Sequence, residues 1–309
     1  MTTKHTPMLS NKICQSAQIT IPQPKHIAEL RTLWTEAFND NDDFLDIFFS
    51  TAFSPERCLC VLVEGKVAAA LYWFECEYQK QPLAYIYAVA TAKVYRGQGL
   101  CHILLDATHS KLKKQGYIGA LLVPGSHTLF DFYKKIGYQT TCYRHTIKYD
   151  LNTTTKNSYP IDQLSNTTSL VAASIFSITQ ISAHEYAALR KKFLPENSVI
   201  QEKENLSFLQ TQLRFYWGEG FLFATHINKQ TIYGAELLYE NCCNTTVLSS
   251  ENTIQNNLFL KKLMHDLLTY FDCNTGIFCT PGAGTAFAMY FPLDNRILSA
   301  PSYFAFAFD

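Results

Sequence analysis

The chain has 309 residues, 47% of them hydrophobic and 14% aromatic, so it exceeds one compact domain and holds ample material for packed cores. Lys plus Arg and Asp plus Glu number 26 each, and with no long basic run this excludes a strong electrostatic drive toward nucleic acid or an anionic membrane. Residues 1–18 lack the apolar core of a signal peptide and no run approaches the ~18 apolar residues of a membrane span, so a soluble, cytoplasmic protein is expected.

In chain order, Ile27, Leu30, Leu33, Trp34 and Phe38, then Phe44, Ile47 and Phe48, recur at helical spacing and predict two helices broken at residues 39–42, Asn-Asp-Asn-Asp. Residues 58–65 and 66–78 are β-rich and meet at Glu64-Gly65, a hairpin signal, and residues 83–91 form a third such run. A helix then carries Leu100, Ile103, Leu104, Ala107 and Leu112 on one stripe, with Lys111, Lys113 and Lys114 at its C-terminal end and Gly116 beyond. A strand at 117–123, a short helix at 128–137 and a strand at 138–150 complete an α/β order with a crossover helix.

Residues 151–176 are rich in Asn, Thr and Ser and mark a linker. After it a similar order returns: helical 182–193 and 206–216, a hairpin of 220–228 and 231–240, strand 245–250, helix 254–271 and strand 276–280. Residues 123–133 and 280–290 share Pro, Gly, Thr, Phe and Tyr at the same offsets, which supports a tandem duplication. The ten cysteines show no C-x-x-C spacing, so reduced thiols and no metal site are expected.

Residues 96–101 read Arg-Gly-Gln-Gly-Leu-Cys and stand at the mouth of the crossover helix. A helix N-terminus leaves backbone N–H groups unpaired and carries partial positive charge, and glycines let several of those groups converge on one phosphate. An isolated Gly-x-Gly is equally an ordinary tight turn. No Gly-Lys-Ser/Thr follows, which excludes a nucleotide P-loop, and the third glycine of a dinucleotide fingerprint is absent.

With the strand before it and the helix after it, residues 26–150 resemble a Gcn5-related N-acetyltransferase (GNAT) domain. The family's acyl-CoA motif, Gln/Arg-x-x-Gly-x-Gly/Ala, appears as Arg96 to Cys101, with cysteine in the last position. Its second signature, Tyr-x-x-x-Gly-Phe/Tyr, appears as Tyr133-Lys134-Lys135-Ile136-Gly137-Tyr138. The doubled order resembles acetyltransferases of the enhanced-intracellular-survival type, whose second domain is degenerate; their third, sterol-carrier-like domain is not expected in 309 residues.

The resemblance implies a GNAT fold, a mixed central sheet flanked by helices, over residues 20–150, and a degenerate GNAT-like domain over 177–309. It implies acetyl-CoA as co-substrate, no metal, and an amine-bearing acceptor. Val89, Ala90 and Thr91 would pair with the pantetheine arm, and Arg96, Gly97, Gln98, Gly99, Leu100 and Cys101 would hold the pyrophosphate. Ser126 would contact cofactor or cap the following helix. Tyr133 would be the catalytic acid that protonates the departing thiolate.

For the base that deprotonates the amine, Glu75 and Glu77 are candidates because they share one strand face, although exposed strand carboxylates are the simpler reading and the one favoured, and His102 and His127 are weaker candidates. Without the third domain, Asp309 is not expected to serve as that base. The second half has no Arg-Gly loop after Ser250 and is expected to bind no CoA, and to cover the substrate mouth or form a homo-oligomer interface. The expected activity is N-acetylation of a primary amine, the alternative a non-catalytic acyl-CoA sensor.

Overall fold

The structure is a computed structural model that describes residues 17–151, 177–180, 182–217, 221–227, 230–239, 242–249 and parts of 264–308. Residues 152–176 of the expected linker and most of the helix expected over 254–271 lie outside the described residues. The chain divides into two compact units, Met1–Thr140 with Ala288–Ala300, and Thr141–Phe287 with Pro301–Asp309.

The first unit contains β1 (Gln18–Thr20), α1 (Ile27–Phe38), α2 (Asp42–Thr51), β2 (Cys58–Val63), β3 (Lys66–Tyr78), β4 (Gln81–Thr91), α3 (Leu100–Lys114), β5 (Gly119–Leu122) and α4 (His127–Ile136). Its strands lie in the order β1-β2-β3-β4-β5. The first four pair antiparallel, whereas β4 and β5, joined through α3, pair parallel.

Local chemistry accounts for the breaks. Asn39 ends α1 in the left-handed region (φ 62°), and Asn41 caps α2 by accepting the Phe44 N–H at 2.9 Å. Asp42 and Asp43 then occupy the first turn, where the helix dipole favours negative charge. Glu64 and Gly65 both have positive φ, as a two-residue hairpin matching strand twist requires. Gln79 and Lys80 do the same between β3 and β4 without a glycine.

Alternation along β3 and β4 builds two cores. Tyr72, Phe74, Tyr85 and Tyr87 face an aromatic cluster with Trp34 and Phe48, whose rings lie 4.6 Å apart. Leu71, Trp73, Ala84 and Ile86 pack instead with Leu104, Leu105 and Leu112 of α3 and with Tyr133 and Tyr138.

The first unit also holds residues from far along the chain. Of β13 (Thr285–Pro292), Met289 to Pro292 pair antiparallel with Leu122 to Gly119. The Tyr290 ring covers Gly119, where an added Cβ would lie 2.2 Å from it, and Phe291 stacks on His109 at 4.1 Å and 12°. Beyond the strand, Leu293 N–H donates to Ile118 C=O at 2.9 Å and Tyr78 Oη to Ser299 C=O at 3.0 Å. The strand thus occupies the edge of β5 away from β4.

His109 is 7% exposed, and burial lowers its pKa to about 4, with Asp106 opposing the shift and His102 adding to it. The folded state therefore keeps a neutral imidazole while the unfolded chain titrates near 6.5. Stability is expected to be full above pH 6.5 and to fall as the pH drops toward 4, by about 3 kcal/mol in all. Thermal unfolding across pH 7 to 4 checks this: His109→Gln should remove that part of the slope.

The second unit contains β6 (Gln139–Asp150) from Thr141 onward, β7 (Ser177–Gln180), α5 (Ala183–Phe193), β8 (Ile200–Gln201), α6 (Glu204–Trp217), β9 (Phe221–Ile227), β10 (Gln230–Tyr239), β11 (Cys242–Ser249) and β12 (Thr275–Pro281). Strand order is β6-β12-β11-β10-β9-β7, with β11 and β12 parallel. A capping box of Ser182 and Glu185 starts α5. The local match of 123–133 with 280–290 does not carry over to structure: the former leads into α4, the latter into a strand.

Candidate active site

The parallel ladder of β4 and β5 runs from Leu83↔Gly119 to Ile86↔Leu122 and stops, while β4 stays paired with β3 as far as Thr91↔Ala69. Between those points Ala88 adopts φ 47° and the β3 register slips between Ala70 and Tyr72, a β-bulge. Val89, Ala90 and Thr91 therefore diverge from β5, and their edge away from β3 has no strand partner among the described residues. Such an edge can pair with an extended ligand chain.

The loop follows at once. Ala92 N–H donates to Ala68 C=O at 2.9 Å, and the Glu36 carboxylate of α1 accepts the Lys93 N–H. Arg96 Nε donates to Thr91 C=O at 3.0 Å, and Gln98 Nε2 to Val94 C=O at 3.1 Å, so the loop is closed by its own side chains. Gly97 and Gly99 have φ 75° and 83°, conformations that bear a side chain only under strain.

The α3 ladder begins with Ile103 N–H to Gly99 C=O at 3.2 Å, so Leu100, Cys101 and His102 present N–H groups without an intrahelical acceptor. A Cβ added at Gly97 would meet nothing within 4 Å, which leaves the space over the loop open to a ligand. An anion fits this arrangement, with the exposed Arg96 beside it. Burial pushes the half-buried Cys101 thiol up to about 12, so no thiolate competes with a ligand's charge there.

Tyr133, on α4, is 7% exposed, with its ring edge-on to Tyr138 at 5.7 Å and to Phe132 at 5.2 Å. Burial first, and then Cys101, push its phenol well above the usual tyrosine range. Ser126 holds the N-cap position of α4, but its hydroxyl lies 3.0 Å from Thr128 Oγ1 and caps no backbone N–H.

The candidate bases are not gathered at the splay. Glu75 accepts from Tyr117 Oη at 3.1 Å and stands opposite Ala84, with Glu77 opposite Pro82. At about 3.4 Å per residue, Ala84 lies roughly 17 Å along β4 from Val89. His102 is exposed and pairs with Asp106 at 3.4 Å, and His127 is exposed against Phe130 at 6.1 Å.

Two contributors carry no signal in the sequence. Ala88 at positive φ is an alanine where glycine would announce a bulge, and Glu36 reaches the loop from 57 residues away. Among the described residues, no group of His, Cys, Asp and Glu could hold a metal ion, and no helix is long and apolar enough to cross a membrane.

A scan against protein families matches residues 18–141 to the acetyltransferase (GNAT) domain. A search of curated proteins finds no match. Among solved structures, the chain is similar to a probable N-acyltransferase from Enterococcus faecalis V583, at 14% identity and TM-score 0.64, over 90% of this chain and 73% of that one. It is similar also to a GCN5-related N-acetyltransferase from Anabaena variabilis, at 13% identity and TM-score 0.63 over 90% and 73%. Eis1 from Mycobacterium abscessus follows at 12% and 0.60 over 90% and 74%. At these identities the likeness is one of fold. The split of β4 from β5 and the glycine loop both lie within residues 18–141, the part of the chain that matches the GNAT acetyltransferase domain.

Proposed function

We propose that the protein transfers an acetyl group from acetyl-CoA to a primary amine by direct attack in a ternary complex. The observation that carries this reading is the divergence of β4 from β5 at Ala88, immediately ahead of the glycine loop. Acetyl-CoA supplies an activated thioester. The open edge at Val89, Ala90 and Thr91 holds its pantetheine arm, and a backbone N–H at Val89 polarises the carbonyl. Arg96 and the N–H groups from Gly97 to Cys101 hold the pyrophosphate, with Ser126 as a further contact. Tyr133, kept protonated by burial, gives its proton to the departing sulfur.

The second unit is a degenerate copy of this domain in the same reading. It repeats two helices, a hairpin and a parallel strand pair, and the sequence after Ser249 has no arginine-glycine loop.

One observation favours a second reading, a non-catalytic acyl-CoA sensor: Glu75 and Glu77, the carboxylates expected as base, stand far from the splay. Thiol release from acetyl-CoA across a panel of primary amines separates the two. Release that saturates with one amine supports the enzyme, and tight cofactor binding without release on any amine supports the sensor.

A further inference from the structure

We infer that His109 is a positioning residue for the Tyr133 phenol, acting through Tyr138. The inference rests on the proposed role of Tyr133 as proton donor.

Tyr133 and Tyr138 are tied twice. Their rings meet edge to face at 5.7 Å, and Tyr138 N–H donates to Tyr133 C=O at 3.1 Å across the left-handed Gly137 that ends α4. Any rotation or shift of Tyr138 therefore reaches Tyr133. Tyr138 is 1% exposed, and its hydroxyl lies 2.8 Å from His109 Nε2 on α3. A buried phenol held by one strong hydrogen bond has its ring angle set by that bond.

His109 is itself held. Phe291 of β13 stacks on the imidazole at 4.1 Å and 12° and tilts against Tyr138 at 5.3 Å. Phe291 also packs so close to Gly137 that an added Cβ there would lie 2.9 Å from it. A buried histidine bonded to a tyrosine is ordinarily a satisfied core group. Here the tyrosine it holds is the neighbour that fixes the aim of Tyr133, and all four rings, with Leu100 and Cys101 at the start of α3, belong to or pack on one core.

The test compares His109→Phe, His109→Gln, Tyr133→Phe and the double variant Tyr133→Phe/His109→Phe in the full chain, reading kcat, KM for the amine, and acetyl-CoA affinity. His109→Phe is expected to lower kcat about fivefold to tenfold while cofactor affinity stays within about twofold. Glutamine, whose side-chain amide can replace the imidazole's bond to the phenol, is expected to restore most of the loss. In the Tyr133→Phe background the same His109 change should alter kcat by less than about twofold, because the group being aimed is gone.

An equal loss in both backgrounds, or unchanged turnover in His109→Phe, overturns the inference while leaving the acid role of Tyr133 intact. Unaltered turnover in Tyr133→Phe alone overturns the acid role, and the inference with it. If His109→Phe does not fold, Tyr138→Phe removes only the hydroxyl that His109 holds and is read against the same outcomes.

Discussion

Gly99→Glu is expected to weaken acetyl-CoA binding by at least about a hundredfold, and three effects act together. Gly99 sits at φ 83° in the position that starts α3, where a side chain costs about 1–2 kcal/mol of backbone strain. The carboxylate cancels the partial positive charge at the helix mouth and repels a phosphate held there. The side chain also takes up space that converging N–H groups leave for the ligand. Losing about 3 kcal/mol in total is a hundredfold. Gly99→Ala separates the strain from the charge: it should cost about tenfold, since only the backbone term remains. Calorimetric titration with acetyl-CoA checks both. If Gly99→Glu binds within about threefold of the parent, the phosphates lie elsewhere.

The elements on which that loop depends are legible in the sequence because each is written in local chemistry. Asn39 and Asn41 mark the break between α1 and α2 through a left-handed C-terminal residue and a side-chain cap. Gly97 and Gly99 mark the loop because only glycine takes those angles without strain. The bulge that opens β4 is different: Ala88 reaches φ 47° because surrounding pairing holds it there, and nothing in Ala-Val-Ala-Thr announces it.

The segment Ala288–Ala300 is illegible for another reason, since its partners Gly119, His109 and Tyr78 lie about 170 to 220 residues earlier and long-range pairing leaves no periodic trace. The likeness of 280–290 to 123–133 also misleads. Phe287 to Tyr290 are buried without interruption, and a short apolar run of that kind is as much a strand as a helix.

Tyr133→Phe is expected to lower kcat by about a hundredfold and to leave acetyl-CoA affinity nearly unchanged. The ring, its edge-on contacts with Phe132 and Tyr138, and its place in the core all remain; only the hydroxyl is lost. Burial together with Cys101 raises the phenol's pKa, which has two consequences of opposite sign. The group is certain to carry its proton at any working pH, so it can donate. It is also a weaker acid, and a thiolate is a good leaving group, so donation contributes at the low end of the range of 10²–10⁴ that general acids typically supply. Because the interaction forms as the carbon–sulfur bond breaks, kcat and kcat/KM should fall by the same factor, whereas a loss of ground-state binding would raise KM alone. The pH–rate profile adds a second check. Since Tyr133 does not titrate below the alkaline range, removing its hydroxyl should scale the profile down without moving its acidic limb, which belongs to the amine and whatever takes its proton. Turnover within about twofold of the parent would make Tyr133 a packing residue and assign the proton to water.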